Sequence, residues 1–373
     1  MKNKNLTNGK DRSAQIFLLV FAAGILTKLL IFGVGVLFLR RLDPDKKILD
    51  FMAQAGDVPH YINIAQNGYA SYGENANKIV FYPLFPLLMR ILATVFRNYT
   101  VSGLIISYAA FGTASAYLYK LMRIDYDVEK SVDALLLMFI APYGLFFTSI
   151  HTESLFLALS ITTLYYARKE NWLAASLIGY LTALTKTQGV IILAPVVYEL
   201  IICSIRDKKF KKSGLFAMFI PLGFVTYLAI NKIVQGDWFA FVAHQAAAPW
   251  YNTAKWISES LATSYDVGAG NFSLSLIIYH PQIWLFFVAV AFLFVGLYKN
   301  VRTSYLVFMG AYIMTTYLQG WMLSGARYIT SCASIYIVMA SIDNKIIKYI
   351  MYLGTGLLCI CYMAMWLQGY AIM

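Results

Sequence analysis

The stretch QIFLLVFAAGILTKLLIFGVGVLFL, residues 15–39, decides the fold class of this chain. It carries a single charged residue, Lys28, and an α-helix of roughly 20 apolar residues is long enough to cross a bilayer. The stretch is too long for a signal-peptide core and has no small-residue cleavage site, so it predicts a first membrane helix. The polar, basic residues 1–14 predict a cytoplasmic N-terminus, because positive charge is retained on that side.

The composition of the whole chain favours the same class. Of its 373 residues, 60% are hydrophobic and 13% are charged, whereas a soluble domain carries about 25% charged residues. We therefore expect an all-α polytopic membrane protein with the lipid bilayer as its solvent. The net charge of +12 sits in short clusters between apolar runs, which argues against a nucleic-acid partner. The four cysteines lack metal-binding spacing, and we expect no disulfide or zinc site.

Further hydrophobic runs follow the first helix and predict about eleven transmembrane helices in a single domain, residues 1–373. The runs are residues 100–120, 131–149, 154–167, 172–185, 188–204, 213–233, 272–297, 303–320, 328–342 and 346–367. Alternating passage through the bilayer places nearly every Lys/Arg cluster on the cytoplasmic side, as the positive-inside rule requires. It also predicts a first outer loop, residues 40–98, and a large outer loop, residues 234–271.

The first outer loop is expected to hold juxtamembrane helices. Residues 57–66 predict a short amphipathic helix that begins with Asp57 as N-cap and ends at Gly68. Two prolines and Arg90 interrupt the apolar residues 81–96, which favours a helix lying on or dipping into the membrane interface.

Ionisable and polar side chains gather at the predicted outer ends of the helices. They are Asp57, His60, His151, Glu153, Lys186, Asp237, His244, Gln245 and Arg327. Ionisable groups at the ends of apolar helices are costly unless they pair or face a cavity. One shared outer-facing site accounts for all of them.

Each of these residues also has a purely structural interpretation. Asp57 is favoured by its spacing as a helix cap, although a carboxylate near the membrane surface also suits a general base. His60 lies one turn later and is either an interfacial side chain or a hydrogen-bond partner for sugar or phosphate. His151 and Glu153 lie in a tight connection between two apolar runs, where Thr152 or Glu153 would cap the next helix. Alternatively, the acid Glu153 binds a sugar hydroxyl or orients Lys186.

The two cations lie on the side that positive charge avoids. Lys186 is either a snorkelling lysine at a helix end or a phosphate ligand. Arg327 stands alone before an apolar helix and argues most strongly for an anionic ligand.

Two further segments are ambiguous. Residues 236–250, which include Asp237, Gln245 and Trp250, predict either an aromatic belt at the interface or a platform for a sugar. Asp43 and Asp45 form an Asp-x-Asp pair that is a candidate metal or sugar-phosphate site, but their mixed-charge surroundings favour simple solvent exposure.

Several of these segments, taken in order, resemble the glycosylphosphatidylinositol mannosyltransferase-2-like family of GT-C membrane glycosyltransferases. The matching pieces are GDVPHYINIAQNGY (56–69), FYPLFPLLMRIL (81–92), the stretch from HTES to TKTQG (151–189), GDWFAFVAHQ (236–245) with Trp250, and SGARY (324–328). The sequence departs from the family at Gly56, where tryptophan is common, at Lys186, where arginine is usual, and at Ala326, where proline is usual.

The resemblance implies a GT-C-type bundle that transfers a sugar, mannose in the best-known members, from a polyprenyl-phosphate carrier. The acceptor would be a glycan or glycolipid hydroxyl on the extracytoplasmic face, and the reaction would invert the anomeric centre. A multi-pass protein of a prokaryotic plasma membrane is expected, without a cofactor, although a divalent metal is left open.

The resemblance also assigns roles to residues. Asp57 would be the catalytic base, and Lys186 and Arg327 would bind the donor phosphate. The expected substrate-binding residues are His60, Tyr61, His151, Glu153, Asp237, His244, Gln245, Trp250 and Tyr328. Two other classes remain open: a transporter or lipid-linked-sugar flippase, against which the lack of an internal repeat argues, and a non-catalytic subunit of a membrane enzyme.

Overall fold

The computed structural model describes residues 2–45, 47–270, 275–320, 323–370 and 372, and it describes side chains in these ranges except those of residues 2–12, 275 and 276. Within these ranges the protein is helical and contains no β-strand; Ala254 and Gln319 form an isolated antiparallel bridge. The expected all-α class is therefore confirmed for the described residues.

The α-helices follow one another through short connections. They are α1 (Lys2–Leu42), α2 (Ile48–Ala53), α3 (Val58–Asn67), α4 (Leu84–Phe96), α5 (Tyr99–Asp125), α6 (Val128–Phe139), α7 (Leu145–Thr148), α8 (Glu153–Arg168), α9 (Trp172–Ala183), α10 (Leu193–Arg206), α11 (Phe219–Gln235), α12 (Ala240–Ala246), α13 (Ile257–Ala269), α14 (His280–Tyr298), α15 (Thr303–Tyr317), α16 (Gly325–Thr330), α17 (Ala333–Ala340) and α18 (Lys345–Leu367). Tighter 3₁₀ turns occupy Glu74–Val80, Thr187–Ile192 and Lys212–Met218, and a π-turn occupies Ser275–Tyr279.

Six helical segments among the described residues are long and apolar enough to cross a bilayer. They are Ser13–Leu42, Tyr99–Asp125, Thr187–Arg206, Lys212–Gln235, Ile277–Tyr298 and Lys345–Leu367. The expected count of about eleven is not confirmed, because the other predicted runs form shorter helices. The predicted run 172–185 forms the 12-residue helix α9, and the run 328–342 is divided between α16 and the 8-residue α17. Residues 271–274, at the end of the predicted outer loop and the start of the next run, lie outside the described residues.

The predicted first outer loop folds into short helices. Helix α3 begins after Asp57 and ends at Gly68, whose φ of 79° suits glycine because this residue has no Cβ. The 3₁₀ turn Glu74–Val80 meets α4 at a bend of 111°, so the two can form one broken span or a re-entrant segment. Helix α4 leaves Leu87 and Val95 exposed, as suits a helix in contact with lipid.

The centre of the bundle is α5, which packs against α1 and α8. Glycines bring the backbones of α1 and α5 together, since a Cβ on Gly112 would lie 2.8 Å from the Phe21 carbonyl oxygen. A Cβ on Gly24 would likewise collide with Ser115. Small residues at a helix contact let membrane helices approach closely and gain dispersion energy.

Helix α8 carries polar groups at both of its ends. At its C-terminus Arg168 binds Asp125 at 2.5 Å and also donates to the Tyr305 hydroxyl at 2.7 Å. Nearby, Arg302 binds Glu199 at 2.7 Å. Asp125, Arg168 and Arg302 lie in connections predicted to face the cytoplasm, namely residues 120–130, 168–171 and 298–303. Glu153 begins the other end of α8, about 22 Å away at 1.5 Å per residue.

Replacing Gly112 by leucine should force α1 and α5 apart and destabilise the bundle. Overpacking of this kind costs about 1–3 kcal/mol, so we expect the Tm of the purified protein in detergent to fall by about 5 °C. Gly33→Leu is the control, because a Cβ at Gly33 meets no atom within 4 Å. Equal Tm values for the two variants would show that the α1–α5 contact is not needed for stability.

Candidate active site

Arg327 joins two carboxylates from distant parts of the chain. Its Nη1 donates to Oδ2 of Asp57 at 2.6 Å, and its Nε donates to Oε1 of Glu153 at 2.7 Å. The arginine is 5% exposed and Glu153 is fully buried, whereas the Asp57 side chain is 26% exposed. Asp57 is thus the carboxylate of this group that solvent or a ligand can reach.

Lys186 completes the cluster from the other side of Glu153. Its Nζ lies 3.4 Å from Glu153 Oε1 and 3.3 Å from the Ser331 hydroxyl. The ammonium also lies over the ring of Tyr328, 4.6 Å from the centroid, in a cation–π contact. Two cations and two carboxylates therefore meet in one place, and we call Asp57, Glu153, Lys186 and Arg327 the ionic cluster.

Each member of the ionic cluster sits at the end of a helix. Asp57 precedes α3, Glu153 is the first residue of α8, and Arg327 lies in the short helix α16. Lys186 has extended backbone angles between α9 and the turn Thr187–Ile192, and its side chain makes no capping hydrogen bond to that turn. Helix ends are where a membrane bundle can hold charge close to a cavity.

The expected N-cap position of Asp57 in α3 is confirmed, but the expected capping hydrogen bond of its side chain is not formed. The carboxylate turns to Arg327 instead, because a charge-assisted bond to a guanidinium is stronger than a bond to a neutral N–H. Neither Thr152 nor Glu153 caps α8 through its side chain.

The ionisation state of Asp57 depends on the neighbouring guanidinium of Arg327. Burial opposes ionisation of this carboxyl group, but Arg327 outweighs burial and holds the pKa of Asp57 below its ordinary value. Asp57 is therefore an anion at neutral pH. Buried ion pairs contribute little net stability, because desolvation offsets their attraction, and such groups cluster at functional sites.

The ionic cluster borders a cavity of about 370 Å³. The lining residues are Asp57, Tyr61, Val80, Phe81, Tyr82, Thr152, Thr185, Lys186, Thr187, Gln188, Gln245, Pro249, Trp250, Asn252, Gln319, Leu323, Ser324, Arg327 and Tyr328. Pockets of roughly 300–1,000 Å³ hold small ligands. The cavity is therefore large enough for a small polar ligand beside the ionic cluster.

Several residues predicted from the sequence line this cavity: Asp57, Tyr61, Lys186, Gln245, Trp250, Arg327 and Tyr328. Others support the lining from behind. Glu153 and His151 are buried, and His151 Nδ1 is 2.7 Å from the Ser149 hydroxyl. His60 stacks on Phe81 with the ring centroids 5.0 Å apart.

Asp237 and His244 also lie outside the cavity lining. Asp237 is exposed, and its carboxylate accepts the backbone N–H of Phe239. His244 is 2.9 Å from the side-chain oxygen of Gln235. Direct contact of either residue with a ligand in this cavity is not supported, because each is engaged in a local hydrogen bond away from it.

Three amide side chains of the lining were not predicted from the sequence: Gln188, Asn252 and Gln319. Gln188 lies two residues after Lys186 in TKTQG, and Asn252 lies two residues after Trp250. Closeness in sequence to a predicted site residue was therefore the available signal. Gln319 ends an apolar run and had no such signal. Across the described ranges no group of three or more His, Cys, Asp or Glu side chains is arranged to hold a metal ion, and Asp43 and Asp45 are exposed.

Neutralising Glu153 should destabilise the protein, because this buried carboxylate forms ion pairs with both cations of the ionic cluster. Removing one partner of a buried ion pair leaves an uncompensated charge, and we expect Glu153→Gln to cost about 3 kcal/mol. Thermal unfolding in detergent measures the effect, with the exposed Glu259→Gln as control. A Tm equal to that of the control would mean that Glu153 does not balance these charges.

The geometry can be compared with known proteins. No curated protein matches this chain. A family model does match, over a range that contains Asp57, Glu153 and Lys186 and stops before Arg327. Residues 45–220 match the family model described as mannosyltransferase (PIG-V), which points to a membrane glycosyltransferase.

Proposed function

We propose that this protein transfers a sugar, mannose by analogy with the matching family, from a polyprenyl-phosphate carrier to an acceptor hydroxyl. The observation that supports it best is the ionic cluster at the cavity, where a partly exposed carboxylate faces two cations. Such an arrangement can accept a proton from a nucleophile and stabilise an anionic leaving group.

The proposed reaction is a single displacement. The acceptor oxygen attacks the anomeric carbon and forms the new C–O bond, while Asp57 takes the hydroxyl proton. The bond from the anomeric carbon to the phosphate oxygen breaks on the opposite face, which inverts the centre. The departing phosphate keeps the bonding electrons and gains negative charge, which Arg327 and Lys186 stabilise.

The pairing of Asp57 with Arg327 suggests how the base becomes available. A guanidinium that binds a carboxylate at 2.6 Å also binds phosphate, so a donor phosphate competes directly with Asp57 for Arg327. When the phosphate takes this position, Asp57 loses its counter-charge and becomes a stronger base. Donor binding would therefore prepare Asp57 for the acceptor.

A second cavity offers a place for the carrier's hydrocarbon chain. It measures about 300 Å³ and is lined mainly by apolar side chains, including Trp284, Leu285 and Phe292. Ile329 and Thr330 also line it, and these belong to α16, the helix that carries Arg327. A donor whose phosphate binds Arg327 would therefore find apolar surface for its hydrocarbon chain within one turn of the same helix.

The extracytoplasmic placement of the site rests on charge distribution. The Lys/Arg-rich connections meet at the Arg168 end of α8, whereas the ionic cluster lies at the Glu153 end. If the basic end faces the cytoplasm, as the positive-inside rule predicts, the cavity opens on the other side. A transport function would predict no chemical change in the carrier, and the assay below separates the two functions.

The proposal is tested by incubating the purified full-length protein in lipid nanodiscs with a panel of polyprenyl-phosphate sugars and candidate glycan acceptors. We expect sugar transfer with release of polyprenyl phosphate. Asp57→Asn should lower kcat by about 100-fold or more, since general-base catalysis contributes roughly 10²–10⁴-fold. Asp50→Asn is the matched control, because Asp50 is an exposed carboxylate in the same loop. Transfer by Asp57→Asn at the control rate would contradict the base assignment.

Substitutions of Arg327 and Lys186 should weaken the interaction of the protein with the donor phosphate. We expect Arg327→Lys and Lys186→Met each to reduce transfer by about 100-fold, because each removes contacts with the developing charge on the phosphate. The donor KM should rise while the acceptor KM stays unchanged.

Arg97→Lys and Lys232→Met serve as matched controls for the two cations, since both residues are exposed. Unchanged donor kinetics in a stably folded Arg327→Lys or Lys186→Met protein would exclude the phosphate-binding role of that residue.

A further inference from the structure

We propose that one wall of the cavity, formed by Gln188, Gln245, Asn252 and Gln319 with Trp250, binds an uncharged carbohydrate ring, the acceptor of the reaction. This inference rests on the proposed function and names the substrate class of its second substrate. We call these five residues the amide wall.

The amide wall is held in place by contacts between two chain segments. Asn252 Nδ2 donates to Gln319 Oε1 at 3.2 Å, and the Asn252 backbone N–H donates to the Gln245 carbonyl at 2.7 Å. The bridge between Ala254 and Gln319 joins the same two segments. The Asn252 and Gln319 side chains are therefore positioned before any ligand arrives, which lowers the entropy cost of binding.

Buried polar atoms of the amide wall are left without partners. Trp250 Nε1 and Asn252 Oδ1 are inaccessible to solvent and have no hydrogen-bond partner among the described residues. An unpaired buried donor or acceptor is unfavourable, because it has lost its hydrogen bonds to water and gained none in the protein. A hydroxyl group can donate to the amide oxygen and another can accept from the indole, so a hydroxyl-rich ligand satisfies both.

The orientation of Trp250 is set by neighbouring rings. Its ring centroid lies 5.4 Å from that of Phe81 and 5.3 Å from that of His60, in edge-to-face geometry with both. The indole is thereby packed at the cavity wall with its N–H unpaired among the described residues. An aromatic ring with a fixed polar atom is suited to the apolar face and hydroxyl edge of a sugar.

Charge separates the amide wall from the rest of the cavity. The charged lining residues Asp57, Lys186 and Arg327 belong to the ionic cluster, whereas every member of the amide wall is neutral. An anion is attracted to the two cations, and the amide wall offers no counter-charge to hold it. A neutral ring on the amide wall leaves the cations free for phosphate and lies in the same cavity as the Asp57 carboxylate.

Binding of methyl hexopyranosides tests the proposal without a donor. Saturation-transfer NMR on the full-length protein in nanodiscs compares a panel of neutral methyl hexopyranosides with the corresponding uronic acids. We expect the neutral ring with the right stereochemistry to bind, and Asn252→Ala or Gln319→Ala to weaken binding about five-fold per hydrogen bond lost. Asn75→Ala and Gln54→Ala, at exposed positions, should leave binding unchanged.

Isosteric variants guard against misfolding. Asn252→Asp and Gln319→Glu keep the shape of each side chain but remove its N–H donors, so we expect binding of neutral rings to weaken as well. Absence of binding of any neutral glycoside to the unmodified protein, preference for uronic acids, or equal binding by wall and control variants would each overturn the proposal.

Transfer kinetics keep this inference distinct from the proposed function. Once a donor and acceptor are found, Asn252→Ala should raise the acceptor KM and leave the donor KM unchanged; the reverse pattern would overturn the assignment of the wall. If neutral rings bind in the expected way but no polyprenyl-phosphate sugar is consumed, the carbohydrate site stands and the proposed transferase function fails.

Discussion

The guanidinium of Arg327 is the group on which the arrangement of the site depends. It binds Asp57 and Glu153, which lie 270 and 174 residues away in the chain, and so connects α16 to the first outer loop and to α8. Its neighbour Lys186 shares Glu153, which makes the four charges mutually dependent. A buried charge is stable only beside a partner of opposite charge. The chain segments that carry these four residues must therefore come together if the residues are to remain ionised.

Helix α8 keeps two ionic networks apart, because it carries one at each of its ends. Glu153 begins this helix and Arg168 ends it, and the residues between them are largely buried and apolar. Asp125 and Tyr305 meet Arg168 at one end, while Arg327 and Lys186 meet Glu153 at the other. The helix therefore acts as a spacer of about 22 Å between two polar regions with different roles.

The cavity combines two kinds of chemistry that a transfer reaction needs. The ionic cluster supplies a carboxylate and two cations, and the amide wall supplies neutral donors and acceptors. Asp57 lies in the lining and is bound to Arg327, which compensates the charge of this partly exposed carboxylate. The same bond links the proposed base to the proposed phosphate site, so that one substrate can prepare the site for the other.

Hydropathy and charge patterns are local features of a chain. The sequence by itself therefore determined the all-helical membrane class, the first long helix and the α3 segment with its stop at Gly68. It also determined the helix ends where ionisable residues collect. Only the tertiary structure decided which of those residues share a cavity. It buried Glu153 behind Arg327, left Asp237 in a local turn, and brought Asn252 to Gln319, 67 residues apart. It also divided predicted spans into shorter helices. These outcomes depend on which distant partner satisfies each buried charge or amide, and that choice is made by packing between segments that no local pattern relates.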